Sequence, residues 1–177
     1  MLDTLITSKT RLKLLLKFFL NINSSSYLRS LENEFGESSN AIRLELNKFE
    51  KAGLLRSFSK GNKKFYQANT EHPLSQDIHN IMIKHIGFDR IVETIIKKLG
   101  EVKMVFIVGN FARGIDNHII DLLFVGKDIN REYLVRLIEK AEKNIKRKIR
   151  SLVLNETEFE EYIKDHDETE VLLLWKE

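Results

Sequence analysis

Apolar positions in the first seventy residues recur at helical spacing three times and then alternate. Leu12, Leu15, Leu16, Phe19 and Leu20 stand at i, i+3, i+4, i+7 and i+8, one face of a helix for which Ser8 is a candidate cap. Leu28, Leu31 and Phe35 define a second, shorter helix from about Ser26 to Phe35, with Ser24-Ser25-Ser26 as its start and Gly36 as its end. Ile42, Leu46 and Phe49 define a third, which begins near Ser38 or Ser39 and stops before Gly53. Leu54–Ser59 and Lys64–Ala68 then read as two short strands around the turn Lys60-Gly61-Asn62-Lys63.

Pro73, the sole proline, disfavours helix at His72 and marks a boundary between halves. Beyond it the pattern alternates. Helical segments at about 75–86 and 88–99 precede a β-branched strand, Val102–Val108, and a second strand, Ile119–Val125. Asn130–Arg147 is a long helix with Tyr133, Leu134, Leu137, Ile138, Ala141 and Ile145 on its apolar side. Ile149–Leu154 is a third strand and Glu156–Lys164 a last helix, while Val171–Trp175 fits either strand or helix. The expected class is α+β. The expected organisation is a first domain at 1–70, a helical connection at 71–100 and a second domain at 101–177 with a small mixed sheet.

The 177 residues are 42% hydrophobic and 31% charged, enough apolar content for a folded core. There is no cysteine, which excludes disulfides, thiolate metal sites and cysteine nucleophiles. No apolar run approaches the roughly 18 residues of a spanning helix. The stretch Leu12–Leu20 is interrupted by Lys13 and Lys17 and lacks a cleavage signal, so no membrane association and a cytoplasmic location are expected. Residues 1–70 carry twelve bases against six acids, and the remainder seventeen against twenty. A basic module joined to a mildly acidic one suggests a polyanion partner for the first half; chance clustering of solvated charge is the plain alternative.

Three helices and a basic hairpin within seventy residues is the order of a winged helix-turn-helix, whose third helix enters the DNA major groove. With Ile42, Leu46 and Phe49 buried, Ser39, Asn40, Arg43 and Asn47 face outward, and Asn40, Arg43 and Asn47 share one stripe. Arg pairs with guanine edges and Asn with adenine edges. Lys60, Lys63 and Lys64 in the hairpin, with Arg56 nearby, suit backbone phosphates. A polar outer face on an amphipathic helix and solubilising turn lysines are the plain alternative. The segment from Ser39 to Leu55, with its Gly53-Leu54-Leu55 step into the wing, resembles arsenic-repressor-like winged-helix transcriptional regulators. That resemblance covers about residues 6–70 and implies binding of double-stranded DNA. Metal sensors of that kind use Cys and His ligands; this chain has no Cys, and His72, His79, His85, His118 and His166 lack ligand spacing, so no metal site is expected. Leu14 and Phe18 widen the apolar face of the first helix, which is therefore either a homodimer interface or a core helix buried on two sides.

Val108-Gly109-Asn110-Phe111-Ala112-Arg113-Gly114, followed by Ile119-Ile120-Asp121-Leu122-Leu123, resembles the polymerase-beta-like nucleotidyltransferase superfamily. Members carry a glycine turn whose amides face nucleotide phosphates, two aspartates at i and i+2 on a strand, and a third carboxylate on a neighbouring strand, which together hold two metal ions. Here Gly109, Ala112, Arg113, Gly114 and Asp121 match. Ile119 stands at the first aspartate, Asn110 replaces a serine, and Lys148–Leu154 contains no carboxylate. Metal-dependent catalysis is therefore not expected, and no cofactor is. Gly109, Asn110, Arg113 and Asp121 are a candidate phosphate, nucleotide or small-anion site; the plain reading of Asp121 is a structural acceptor, for which Arg113 is a candidate partner.

The chain order resembles two-domain proteins that join a winged helix to a nucleotidyltransferase-like domain, with a step like His72-Pro73-Leu74 after the wing and a pair like Glu158-Phe159 after the last core strand. The resemblance implies a transcriptional regulator; a homodimer is expected because a single winged helix reads few base pairs, and the second domain is expected to serve dimerisation, sensing or partner contact. An active minimal nucleotidyltransferase of the toxin–antitoxin kind is the alternative, and an RNA-binding module a weaker one.

Overall fold

Residues 2–99, 101–145 and 147–177 are described by a computed structural model. The fold is α+β, in two compact units, Met1–His85 and Ile86–Glu177. The stretch expected as a connection, 71–100, is thereby shared between them; Gly100, within it, lies outside the described residues, as do Met1 and Lys146.

The first unit begins with α1 (Leu2–Leu5) and α2 (Lys9–Leu15), which Ser8 caps by accepting a hydrogen bond from the Arg11 amide. A π-helical turn, Leu16–Leu20, continues α2. Leu14, Phe18, Phe19 and Leu20 are fully buried, so this helix is core on more than one side and offers no dimer face through Leu14 or Phe18. Ser24-Ser25-Ser26 does not start a helix: Ser25–Tyr27 is a strand, β1, and α3 begins after it at Leu28–Phe35. Ser26 is buried in the pairing of β1 with a later strand, which outweighs its tendency to cap. Gly36, at φ 62°, closes α3 as expected. Helix α4 (Ser39–Lys51) is capped by Ser38 and buries Ile42, Leu46 and Phe49. Strands β2 (Leu55–Lys60) and β3 (Lys63–Ala68) form the expected hairpin, and β1 adds to β3, giving an antiparallel sheet in the order β1-β3-β2. Helix α5 (Ser75–Ile86) follows.

The second unit opens with α6 (Phe88–Ile91), a π-helical turn (Val92–Ile96) and α7 (Lys97–Leu99), one helical stretch in three pieces. Strands β4 (Val102–Val108), β5 (Ile119–Gly126) and β6 (Lys148–Leu154), with helix α8 (Arg131–Ile145) between the last two, build most of the sheet. Helix α8 ends at Ile145; Arg147 lies beyond it and donates to Asp116 and to the Asn117 carbonyl. Helix α9 (Glu156–Lys164) starts in a full capping box between Asn155 and Glu158. After a 3₁₀ turn (Glu168–Glu170), Val171–Lys176 is a strand, β7. The sheet order is β6-β5-β4-β7; β5 and β6 run parallel and the other pairs antiparallel, so the sheet is mixed. Side chains of β5 alternate between two faces, both apolar but for Asp121, in keeping with a sheet covered on both sides. Leu123 and Val125 join Phe106 and the α9 residue Phe159, whose ring stacks on Phe106 at 4.6 Å. Gly126 closes β5 where a Cβ would stand 2.2 Å from the Glu101 carbonyl, so no larger residue fits.

Candidate functional sites

The first candidate site begins on α2. Arg11 donates to both carboxylate oxygens of Glu45, at 2.8 and 3.1 Å, and Lys48 adds a third contact at 3.0 Å. These hydrogen bonds, that from Arg11 foremost, hold the Glu45 carboxyl below its ordinary pKa. Lys13 bonds Glu37 at 2.8 Å and the Phe35 carbonyl at 2.9 Å, and its bond is the main reason Glu37 also titrates low. Lys17, 7% exposed, pairs with Glu34 at 2.8 Å. Arg11, Lys13 and Lys17 thus neutralise three of the six acids of residues 1–70.

On the outer face of α4 Ser39, Asn40, Arg43 and Asn47 are all exposed. Asn40, Arg43 and Asn47 form the expected stripe, and among the described residues Arg43 bonds to no other side chain. Arg43 and Asn47 open onto a groove of about 530 Å³ that Tyr27, Arg29, Lys63 and Lys64 also line, with Glu32 as an acidic wall. The wing lysines are not equivalent. Lys60 and Lys63 are cross-strand partners at the hairpin end. The Lys63 ammonium lies 4.2 Å from the Tyr27 ring centroid. Lys64 is bonded at 2.8 Å to Glu50 of α4, which raises the lysine pKa and lowers that of Glu50. Lys64 therefore reaches a phosphate only by exchanging one anion for another. Arg29 and Tyr27 were not legible in the sequence as groove residues, because they depend on β1.

The second candidate site is the turn after β4. Gly109 has φ +68°, a conformation that favours glycine, and a Cβ there would lie 3.1 Å from Asp121 Oδ2, a tight contact. Asn110 accepts a bond from Arg113 at 2.9 Å, and Arg113 lies 3.6 Å from Glu170. Asp121 does not pair with Arg113. Its partner is Arg150 of β6, which donates from Nε to Oδ1 at 2.6 Å. The reason is register: parallel pairing places Arg150 directly beside Asp121. Gly109, Arg113, Asp121 and Arg150 line a cavity of about 380 Å³ with Tyr162 and His166. Burial is the main cause raising the Tyr162 pKa, with Glu170 and Asp121 adding to it. His166 stacks on Tyr162 at 3.9 Å and faces its carbonyl at 2.7 Å. Arg150, Tyr162, His166 and Glu170 were missed from sequence. Strand β6 was visible, but its register against β5 was not.

No cluster of three His, Asp or Glu side chains able to hold a metal ion occurs among the described residues. His72 and His79 are engaged with backbone, His72 by the Leu74 amide and His79 with the Phe19 carbonyl. No helix among the described residues is long and apolar enough to cross a membrane.

No protein-family model matches the chain, and no curated protein does. Among solved structures, reduced HlyU from Vibrio cholerae N16961 is similar at 17% identity and a TM-score of 0.36, over 47% of this chain and 82% of that one. A Sulfolobus solfataricus protein provisionally described as a nucleotidyltransferase is similar at 31% identity and a TM-score of 0.33, over 53% of this chain and 82% of that one. Each likeness spans about half of this chain.

Proposed function

We propose that the chain is a regulator that binds duplex DNA through α4 and the wing, and that its second unit is a nucleotidyltransferase-like domain without catalytic activity. The observation that carries the reading is the exposed Asn40, Arg43 and Asn47 stripe. Behind it, α4 is anchored through Glu45 to Arg11, and beside it lie Arg29, Lys60 and Lys63. Base-reading groups sit on a fixed helix, and phosphate-binding groups flank it. In the second unit Asp121 already carries a guanidinium partner, Ile119 has no ligand atom, and β6 presents Arg150 where a carboxylate would be needed. This unit then serves as a scaffold for dimerisation or partner contact, with Gly109, Asn110 and Arg113 able to receive a small anion.

A homodimer follows from the short site that a single winged helix reads. Selection of bound duplexes from a random library, with the full chain, is expected to enrich an inverted repeat. Arg43→Ala is then expected to cost about 1–3 kcal/mol on the selected site and much less on a scrambled one. Equal losses on the two duplexes would remove Arg43 from the reading role.

A further inference from the structure

The outward face of the β1-β3-β2 sheet carries a feature that duplex binding leaves unused. Register places Tyr27 beside Phe65 and Phe65 beside Phe58, one ring from each of three adjacent strands. The Tyr27 and Phe65 centroids are 5.1 Å apart, and Phe65 and Phe58 stack at 5.7 Å and 17°. The row is not a core element. Phe58 is 43% exposed, Tyr27 and Phe65 are half-buried, and the residues of this sheet that close onto the interior are those of the opposite face, Tyr66, Leu55, Ala68 and Ser26. Leaving three rings accessible forgoes burial worth about 1.5–3 kcal/mol for a fully covered Phe side chain.

The charge around the row is of one sign. The face alternates strictly, so the remaining positions on it are Arg56, Lys60, Lys63, Gln67 and Ser25. None of them is acidic. Lys60 and Lys63 flank the rings at the hairpin end, and Arg56, tied to Glu71, flanks them at the other. Rings in a row, bordered by cations, offer stacking to flat groups and neutralisation to the phosphates that link them. Base faces in a duplex are occupied by their neighbours, and only unpaired bases present them.

We infer that this face of the wing is a binding site for single-stranded nucleic acid, in which unpaired bases stack on Phe58, Phe65 and Tyr27 and the backbone runs past Lys60 and Lys63. The site shares Tyr27 and Lys63 with the groove onto which Arg43 opens, but Phe58 and Phe65 are not part of that groove's lining, so the two are separable by mutation at Phe58 and at Arg43.

The test uses the full chain, a fluorescein-labelled oligothymidylate, an oligouridylate of the same length and a labelled duplex, each followed by anisotropy at low salt. Single strands are expected to bind, and the two chemistries to show whether DNA or RNA is preferred. Phe58→Ala is expected to weaken single-strand binding roughly tenfold or more while leaving the duplex within about twofold, and Phe58→Tyr to retain it. Arg43→Ala is expected to do the reverse, so failure of duplex binding and failure of this site are read independently. Circular dichroism of Phe58→Ala guards against loss of the sheet, and Phe58 at the exposed end of the row is chosen for that reason. Absence of single-strand binding, or binding that Phe58→Ala leaves unchanged, would overturn the inference. So would a Phe58-dependent self-association without strand binding, which would make the rings a contact between copies.

Discussion

Glu45 is a carboxylate set in the buried side of α4, 7% exposed, and an ionised group there is tolerated only when fully partnered. Arg11 supplies two hydrogen bonds and Lys48 one. Because these partners hold its pKa below the ordinary carboxylate value, the folded state keeps Glu45 ionised at a pH where the unfolded chain protonates it. Its stabilisation is therefore complete above the unfolded glutamate pKa and is lost as the pH falls through the lowered folded one. Glu37 and Glu50 titrate in the same direction for the same kind of reason. Glu45→Gln is expected to cost about 1–3 kcal/mol at neutral pH and to weaken the acid dependence of first-unit unfolding. Urea unfolding by circular dichroism at stepped pH measures both. Trp175, the single tryptophan, lies in the second unit and gives a fluorescence signal that the substitution should leave in place.

Among the elements, α2 with its π-helical turn bears most on how the first unit is held. Phe18 and Phe19 are consecutive and both fully buried, which a single narrow helical stripe does not permit. Phe18→Ala is expected to cost about 3–5 kcal/mol, a core penalty, and to be visible in a monomer at any protein concentration. An interface residue would instead lose stability only where the dimer forms. Periodic elements were legible in the sequence for a physical reason: α4 has a cap at Ser38, an apolar residue each turn and a glycine past its end, and each signal agrees with the others. Strand β1 has three residues and no period to detect, so Ser24-Ser25-Ser26 read as a cap, and the row of rings that Tyr27 completes stayed hidden. The edge strand β7 was ambiguous because five apolar residues in sequence show neither period; its pairing with β4 decides it. The candidate DNA stripe was legible because helical spacing alone places its members. The partner of Asp121 was not, because strand register between β5 and β6 is set by the crossover through α8 and is written in no local motif.

At the scale of the whole molecule, the charge difference between halves is a poorer guide than where the pairs fall. Of the twelve bases of residues 1–70, Arg11, Lys13, Lys17 and Lys48 meet Glu34, Glu37 and Glu45, Lys64 meets Glu50 and Arg56 meets Glu71, while Arg29 and Lys63 line the groove with Arg43 and Lys60 stands beside Lys63. In the second half the Asp121 and Arg150 pair does the converse: it cancels charge at the mouth of a cavity. That pair spans two neighbouring parallel strands, and its backbone frame is independent of which side chains it carries. Ile119 and Asp121 project to one side of β5, and position 150 lies directly beside Asp121. What separates this patch from a three-carboxylate donor set is thus two side chains, at positions 119 and 150. Ile119→Asp combined with Arg150→Asp would set three carboxylates on one patch of sheet, the donor set of a hard divalent cation. The doubly substituted protein is expected to take up Mn²⁺, seen as loss of the free-ion electron paramagnetic resonance signal, while the parent leaves that signal unchanged. A folded double variant that binds no ion would mean the strands hold those positions too far apart for a shared metal.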